Sequence, residues 1–438
     1  MKIALIQPNL QSVNDKTDHP HAGLAYLAAC ALKKEHETFA IDAKFEGISN
    51  TAVIDRLRNI NPRVLGITAR TPDIREAEKI AAAVKTRRPD TIVMIGGAHV
   101  TGLRERVLKE CPHFDIGVCG EGEMTFMELL ELIRRTGGRE TEYSGIDGII
   151  FRKGTGIITT RARAPITDLD SLPFPAWDLF PNLKDISLFT SRGCPYQCIF
   201  CQRVMGNRVR SMSPRRVIRE IKWAIKKFKA TYFQIEDEVF GLNKQWLNET
   251  LQLINAERLH TVIKWFANSR VNVADYPMYV RMREAGCIGV GFGIESGNQK
   301  ILDAIRKGFR IPHAIQALRW ARDAGLRTNA FFILGHPGET KRTIRDTINL
   351  AVKLKPAVVC FGIMIPYPGT KIYDMARKGE GGYRGFHEDW EKYTKYFGRG
   401  LQVNDLDYQR LERWQKRAYL EFFIRNLRVK DLYKQFEK

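Results

Sequence analysis

From its first residues the chain alternates short, unbroken apolar runs with longer stretches of helical period. "IALIQ", "TFAID", "VLGIT", "TIVMIGG" and "FDIGVCG" read as strands, because aliphatic runs of that length suit strands buried on both faces. Segments starting near Gly23, Val53 and Glu76, then "GLRERVLKE" and "EMTFMELLELIRR", place apolar residues at helical spacing between them. Five β-then-α units fill roughly the first 137 residues. That pattern predicts an open, doubly wound parallel sheet of Rossmann-like type, with a ligand crevice at the carboxyl ends of its strands. A hairpin pattern, "GIIFRKGTGIITTRA", and the proline-rich "DSLPFPAWDLFP" then break the series.

A second alternation begins at "DISLFTSRGC" and continues through "TYFQIEDEVF", "IKWFANSRV", "GVGFGIES", "TNAFFILGHPGE" and "VVCFGIMIPYPGT". Six strands with helices between them are too few for an eight-unit barrel, but enough for a partial (β/α)6 TIM-type barrel with its chemistry at the strand carboxyl ends. Past Glu380 the regularity fades into "RGFHEDWEKYTKYFGRG" and a basic amphipathic helical segment from about Tyr408. The expected organisation is an α/β domain over 1–140, a hairpin and linker over 141–182, the partial barrel over 183–380 and a small, mostly helical extension over 381–438.

Composition bounds the function without choosing it. Seventy Lys and Arg against 49 Asp and Glu give a formal charge of +21 over 438 residues, which suits an anionic substrate or cofactor, nucleic acid or an acidic membrane. The longest apolar run, "AGLAYLAACAL", falls short of the ~20 residues that span a bilayer. "MKIALIQPN" goes straight into a strand pattern with no small-residue cleavage site behind it. Five of the eight cysteines (Cys30, Cys111, Cys119, Cys287, Cys360) are scattered in apolar or helix-end contexts, so disulfides are not expected and a cytoplasmic setting is.

The other three stand together in "TSRGCPYQCIFCQR", at Cys194, Cys198 and Cys201. Zinc would want four ligands in two close pairs, and no His stands beside the triad. A thioredoxin-like pair would leave Cys194 idle. Three thiolates on a tight loop can hold three irons of a four-iron cluster and leave the fourth open.

The spacing C-x-x-x-C-x-Φ-C, with Phe200 before the last Cys, resembles the signature of the radical S-adenosylmethionine (SAM) enzymes. The resemblance implies a 4Fe-4S cluster whose open iron chelates SAM, cleaved by one electron to a 5′-deoxyadenosyl radical. It extends from about Leu188 to Tyr373. By it, Asp237 or Glu238 in "IEDEVF" meets the methionine amine and Arg270 in "NSRVN" its carboxylate, while Glu295 in "GFGIESG" meets the ribose. Gly335 in "FFILGHPGET" joins Phe200 in the same SAM-binding set.

The front domain resembles the cobalamin-binding domain of the class B branch of that family, through "GLAYLAA", "GIT", "IGGAHVT" and "GEGE". The residues it nominates are Gly66, Thr68, Arg70, Gly96, Gly97, Gly120, Glu121 and Gly122. A dinucleotide is the rival, but "PNLQSVND" stands where G-x-G-x-x-G would follow the first strand. "TDHPHAG" fails the D-x-H-x-x-G spacing of an axial His, so none is expected. Arg70 is then a candidate for the lower face of cobalt, and His99 a packing residue.

The basic stretch "RVMGNRVRSMSPRRVIREIKWAIKKFK" sets Val217, Ile221, Ala224 and Phe228 at helical spacing behind a Ser213-Pro214 cap. It reads as the solvated face of the first barrel helix, and no RNA-binding module is present. The leading expectation is a cobalamin-dependent radical SAM methyltransferase acting on an unactivated carbon, less often phosphorus. A cyclase or ring-remodelling enzyme of the same group is the first rival, and a non-catalytic cobalamin-binding or sensor protein the second. Expected partners are a small-molecule or lipid substrate and an electron donor such as flavodoxin or ferredoxin. No specific nucleic acid is expected; the basic tail suggests peripheral membrane contact or closure of the active site, and the chain is expected to be a monomer.

Overall fold

The computed structural model describes residues 1–10, 16–138, 140–181, 183, 185–393, 401–428 and 430–431. The chain divides into two compact units. One comprises Met1–Leu188, Gln202–Met212 and Lys226–Ala230; the other comprises Phe189–Cys201, Ser213–Ile225 and Thr231–Lys438. Parts of "PNLQSVND", of the stretch after Glu380 and of the C-terminal tail lie outside the described residues.

The first unit is built on β1 (Lys2–Gln7), β2 (Glu37–Asp42), β3 (Val64–Thr68), β4 (Ile92–Gly96), β5 (Ile116–Val118), β6 (Ile149–Lys153) and β7 (Gly156–Thr159). Their order is β2-β1-β3-β4-β5-β6-β7. The first five are parallel, and the predicted hairpin adds β6 and β7 antiparallel to the same sheet. This 2-1-3-4-5 order reverses direction at β1/β3, where a doubly wound sheet opens a crevice beyond its strand ends. Five of the six β1 residues are buried, as its continuous aliphatic run requires. Local chemistry sets the helix ends. Ser49 caps Asn50–Ile60, which stops at left-handed Asn61, and left-handed Gly137 ends Glu123–Thr136.

The second sheet has six strands: β8 (Asp185–Leu188), β9 (Tyr232–Ile235), β10 (Lys264–Ser269), β11 (Cys287–Glu295), β12 (Arg327–Leu334) and β13 (Val358–Ile363). They lie in chain order, and β9 to β13 pair in parallel. The end strands β8 and β13 do not pair, so the barrel stays open. Helix Pro214–Phe228 buries Val217, Ile221 and Ala224, with Ser213 Oγ accepting the Arg216 amide at 3.1 Å. One feature departs from the expected solvated face. Arg216 and Glu220 are turned inward, nearly inaccessible, and paired at 2.5 Å. Burial pushes the Glu220 carboxyl up to about 7 against the pull of Arg216.

The basic tail has a structural task. Helix Tyr408–Arg425 packs on β13, and its side chains take the hydrogen bonds a further strand would take. Tyr419 Oη accepts the buried Phe361 amide at 3.0 Å, and Gln415 Nε2 donates to the Phe361 carbonyl at 2.6 Å. Arg428 donates to the Pro356 and Ala357 carbonyls at 3.0 and 2.9 Å. Among the described residues no helix is long and apolar enough to cross a membrane.

Tyr419→Phe leaves the Phe361 amide buried without its acceptor, which costs about 1–3 kcal/mol. Hydrogen exchange followed by mass spectrometry should show protection lost across Val358–Ile363 first, with the first unit unchanged.

Candidate functional site

The crevice of the first unit is a cavity of about 320 Å³, mostly apolar, at the carboxyl ends of β1, β3, β4 and β5. All eight residues nominated from the sequence line it: Gly66, Thr68, Arg70, Gly96, Gly97, Gly120, Glu121 and Gly122. Glycine makes the space in two ways. A Cβ on Gly120 or Gly96 would meet no atom closer than 3.9 Å, so these positions form a cradle that any larger residue would begin to fill. Gly97, at φ +105°, passes so close to β3 that a Cβ would come within 2.6 Å of the Ala69 carbonyl. An apolar slot walled by bare backbone fits the nucleotide tail of a corrin.

The polar groups of this cavity are fixed from behind. Arg70 Nε donates to Asp73 Oδ2 at 2.9 Å, and Asp73 also takes Lys44 Nζ at 2.7 Å. Lys44 and Asp73 are fully buried, whereas Arg70 is 44 % exposed. The arginine is therefore anchored on a buried ion pair and presents its remaining edge to the cavity. Glu121 also lines the cavity, and its carboxylate clamps Arg210 at 2.7 and 2.9 Å and accepts the Ile166 amide at 2.7 Å. That role was invisible in "GEGE", because its partners lie 45 and 89 residues away.

His21 also lines the cavity, as the cap of helix Ala22–Lys33. Its Nδ1 accepts the Leu24 amide at 3.2 Å. Burial, aided by Arg70 and Lys44, pushes its pKa down to about 4. A neutral ring that accepts at Nδ1 carries its proton on Nε2, so in this state Nε2 is a donor and offers cobalt no lone pair. His99 is fully buried against Thr71 Oγ1 at 3.2 Å, outside the cavity lining.

In the second unit the cysteine loop springs from a turn held by one carboxylate. Asp237, 4 % exposed after β9, accepts the Thr190 and Ser191 amides at 2.7 and 3.0 Å and their hydroxyls at 2.5 and 2.6 Å. Each of its oxygens thus accepts two hydrogen bonds, which makes Asp237 the structural member of the Asp237/Glu238 pair. Burial raises its carboxyl, and these four bonds oppose the rise. Glu238 accepts the Gly193 amide at 2.8 Å, next to the first cysteine. Between β9 and Asp237, Glu236 has its carboxyl raised by burial and then by Asp237.

Cys194, Cys198 and Cys201 are free thiols close enough to act on one another. Burial and then the neighbouring Cys198 raise Cys194. Partial burial, then Cys198 and Cys194, push Cys201 up to about 11. Among the described residues no group of three or more His, Cys, Asp or Glu is arranged to share one metal ion. Three thiolates that each take a different iron of a cubane need no such convergence, so the donor set fits a four-iron cluster.

Around the loop stand the other nominated residues. Glu295 ends β11 at φ +68°, with a register irregularity between Gly293 and Glu295 that re-aims its side chain. Such a backbone costs of order 1–3 kcal/mol. Its carboxylate pairs with Lys307 Nζ at 2.7 Å, both side chains nearly inaccessible. Lys307 Nζ also lies 5.6 Å from the Phe200 ring centre. A Cβ on Gly293 would come within 2.5 Å of Glu295 Oε1. Gly335, at φ +97°, donates to Glu339 Oε2 at 2.9 Å; burial pushes Glu339 up to about 7. Arg270 is buried against Tyr196.

Two residues of this site were overlooked in the sequence. Lys307 stands in "AIRKG", twelve residues beyond its partner, with nothing local to mark it. His336 follows Gly335 and is fully buried, 6.0 Å from the Phe200 ring and beside the Glu295 backbone. Burial pushes it down to about 3, keeping it neutral.

Comparison with known proteins agrees with this geometry. The radical SAM superfamily matches residues 188–351, and the B12 binding domain matches residues 12–130. The protein named "Uncharacterized methyltransferase PH0819", from Pyrococcus horikoshii, is 32 % identical over 99 % of this chain and 95 % of its own length. The anaerobic magnesium-protoporphyrin IX monomethyl ester cyclase of Cereibacter sphaeroides is 29 % identical over 86 % of this chain and 64 % of its own. In fold, the radical SAM methyltransferase TsrM of Kitasatospora setae, solved with cobalamin and a [4Fe-4S] cluster, superposes with a TM-score of 0.72 at 18 % identity, over 94 % of this chain and 81 % of that one. A glycine-walled cavity in a B12-binding unit, a three-cysteine loop on a radical SAM sheet and an end-to-end relative together place this chain in the family of cobalamin-dependent radical SAM enzymes.

Proposed function

We propose that this enzyme is a methyltransferase that places a methyl group on an unactivated carbon, or on phosphorus, of a small-molecule or lipid substrate. The observation that carries the reading is the match to a named methyltransferase through both units. When bound, the cluster with SAM supplies a 5′-deoxyadenosyl radical, and the corrin supplies a transferable methyl group.

The chain's own residues bind, orient and exclude water. Cys194, Cys198 and Cys201 would hold three irons of the cluster, and Glu238 steadies the loop through the Gly193 amide. Lys307 holds the Glu295 side chain in place, which would leave its second oxygen to accept from the ribose hydroxyls. Phe200, Gly335 and neutral His336 form a dry wall beside it, which protects a radical from water. In the first unit Arg70, held by Asp73 and Lys44, would offer its free edge to a bound corrin. A one-electron donor such as flavodoxin or ferredoxin serves the cluster. All eight cysteines are free thiols, which suits the reducing cytoplasm.

The relationship to a cyclase favours a second reading, in which both cofactors act without methyl transfer. With the native substrate, methylation consumes two SAM per turnover and yields both 5′-deoxyadenosine and S-adenosylhomocysteine, quantified by mass spectrometry. Deoxyadenosine without S-adenosylhomocysteine would sink the methyltransferase in favour of the cyclase. Replacing the three loop cysteines by Ala should abolish deoxyadenosine altogether.

Gly97→Ala should remove corrin absorbance from the reconstituted protein while iron content stays at the wild-type level. Lys307→Met should weaken SAM binding about tenfold, ~1.4 kcal/mol, by calorimetry, with the cluster's electron paramagnetic resonance signal retained.

A further inference from the structure

We propose that the Arg270 guanidinium is the resident counter-charge of the iron–sulfur cluster, acting through Cys198 and raising the cluster's reduction potential. The proposal rests on the family assignment of the cysteine loop and adds to it a task for a residue the sequence reading gave to the SAM carboxylate.

Arg270 follows β10 and is 5 % exposed. A buried guanidinium is costly without an anion, yet among the described residues Arg270 forms no ion pair with a carboxylate. Sulfur stands where a carboxylate would: Nη1 donates to Cys198 Sγ at 3.7 Å. Nη2 donates to the Lys307 carbonyl, and Nε is buried without a hydrogen-bond partner. The guanidinium lies flat on Tyr196, its Cζ 3.6 Å from the ring centre, with Phe309 at 5.9 Å. Tyr196 is itself part of the loop, between Cys194 and Cys198. Stacking on that ring fixes the plane of the fork.

Both terminal nitrogens are thus turned toward sulfur and backbone, whereas a carboxylate is gripped best by two parallel N–H bonds. A loop of three thiolates around an iron–sulfur core supplies the missing anion. An N–H···S bond and a nearby positive charge both favour the more negative, reduced cluster, and hydrogen bonds to sulfur are a recognised control of its potential. The same arginine joins the cluster loop to the nucleoside-facing pair, because the carbonyl it holds belongs to Lys307.

The test is a redox titration of the reconstituted full-length protein without SAM, followed by electron paramagnetic resonance, together with SAM affinity by calorimetry. Arg270→Gln should lower the midpoint by about 59 mV or more, a tenfold change in a one-electron equilibrium. Arg270→Lys, which keeps the charge but not the fork, should fall between. Tyr196→Leu, which keeps Arg270 but frees it, should shift the midpoint the same way and covers the case in which Arg270→Gln fails to hold iron. SAM affinity in these variants should stay within about threefold of wild type. An unchanged SAM-free midpoint in Arg270→Gln or Tyr196→Leu, with affinity for SAM lost, would overturn the proposal and return Arg270 to the carboxylate. Wild-type protein that assembles no four-iron signal would instead overturn the cluster assignment.

Discussion

The second unit depends on one buried carboxylate. Asp237 spends both oxygens on two consecutive residues, Thr190 and Ser191, taking an amide and a hydroxyl from each. Burial favours its neutral form, and the four donors oppose that pull. In return the chain leaves β8 in a fixed direction, and the cysteines begin three residues later. A cluster loop needs such a root, because thiolates that each take a separate iron must be held apart before the irons arrive.

A second rule runs through both units: ligand-facing groups are anchored by ion pairs out of water. Arg70 hangs on Asp73 and Lys44, and Glu295 on Lys307. Buried pairs are weak sources of stability but strong sources of position, since removing either partner strands a charge. Even the helix that reads as a solvated basic face hides one such pair, Arg216 and Glu220.

How much of this was legible follows from range. Period and run length gave both sheets, because a parallel strand buried on both faces can be little but aliphatic. Glycines and cysteines carried the family resemblance that nominated the candidate site, since backbone approach and iron ligation each admit few residue types. What stayed hidden was pairing across distance. Nothing near Asp237 in the sequence says that its oxygens are already filled, and nothing near Glu121 points to Arg210. The internal contacts of the basic tail were hidden for the same reason. Its charge suggested an external partner, but not that Tyr419 and Gln415 bond Phe361 of β13 and Arg428 the two carbonyls just before that strand.

That helix decides how many strands the sheet has. An open barrel ends in a strand with unspent donors and acceptors, ready to recruit another strand from any chain. Here a tyrosine and a glutamine act as a stopper, matching the hydrogen bonds of Phe361 without lending it a backbone to copy. Helix Tyr408–Arg425 therefore shields part of the open edge of this sheet from pairing. A lineage could vary the loops around the cluster widely, but could shorten its tail only by finding another plug.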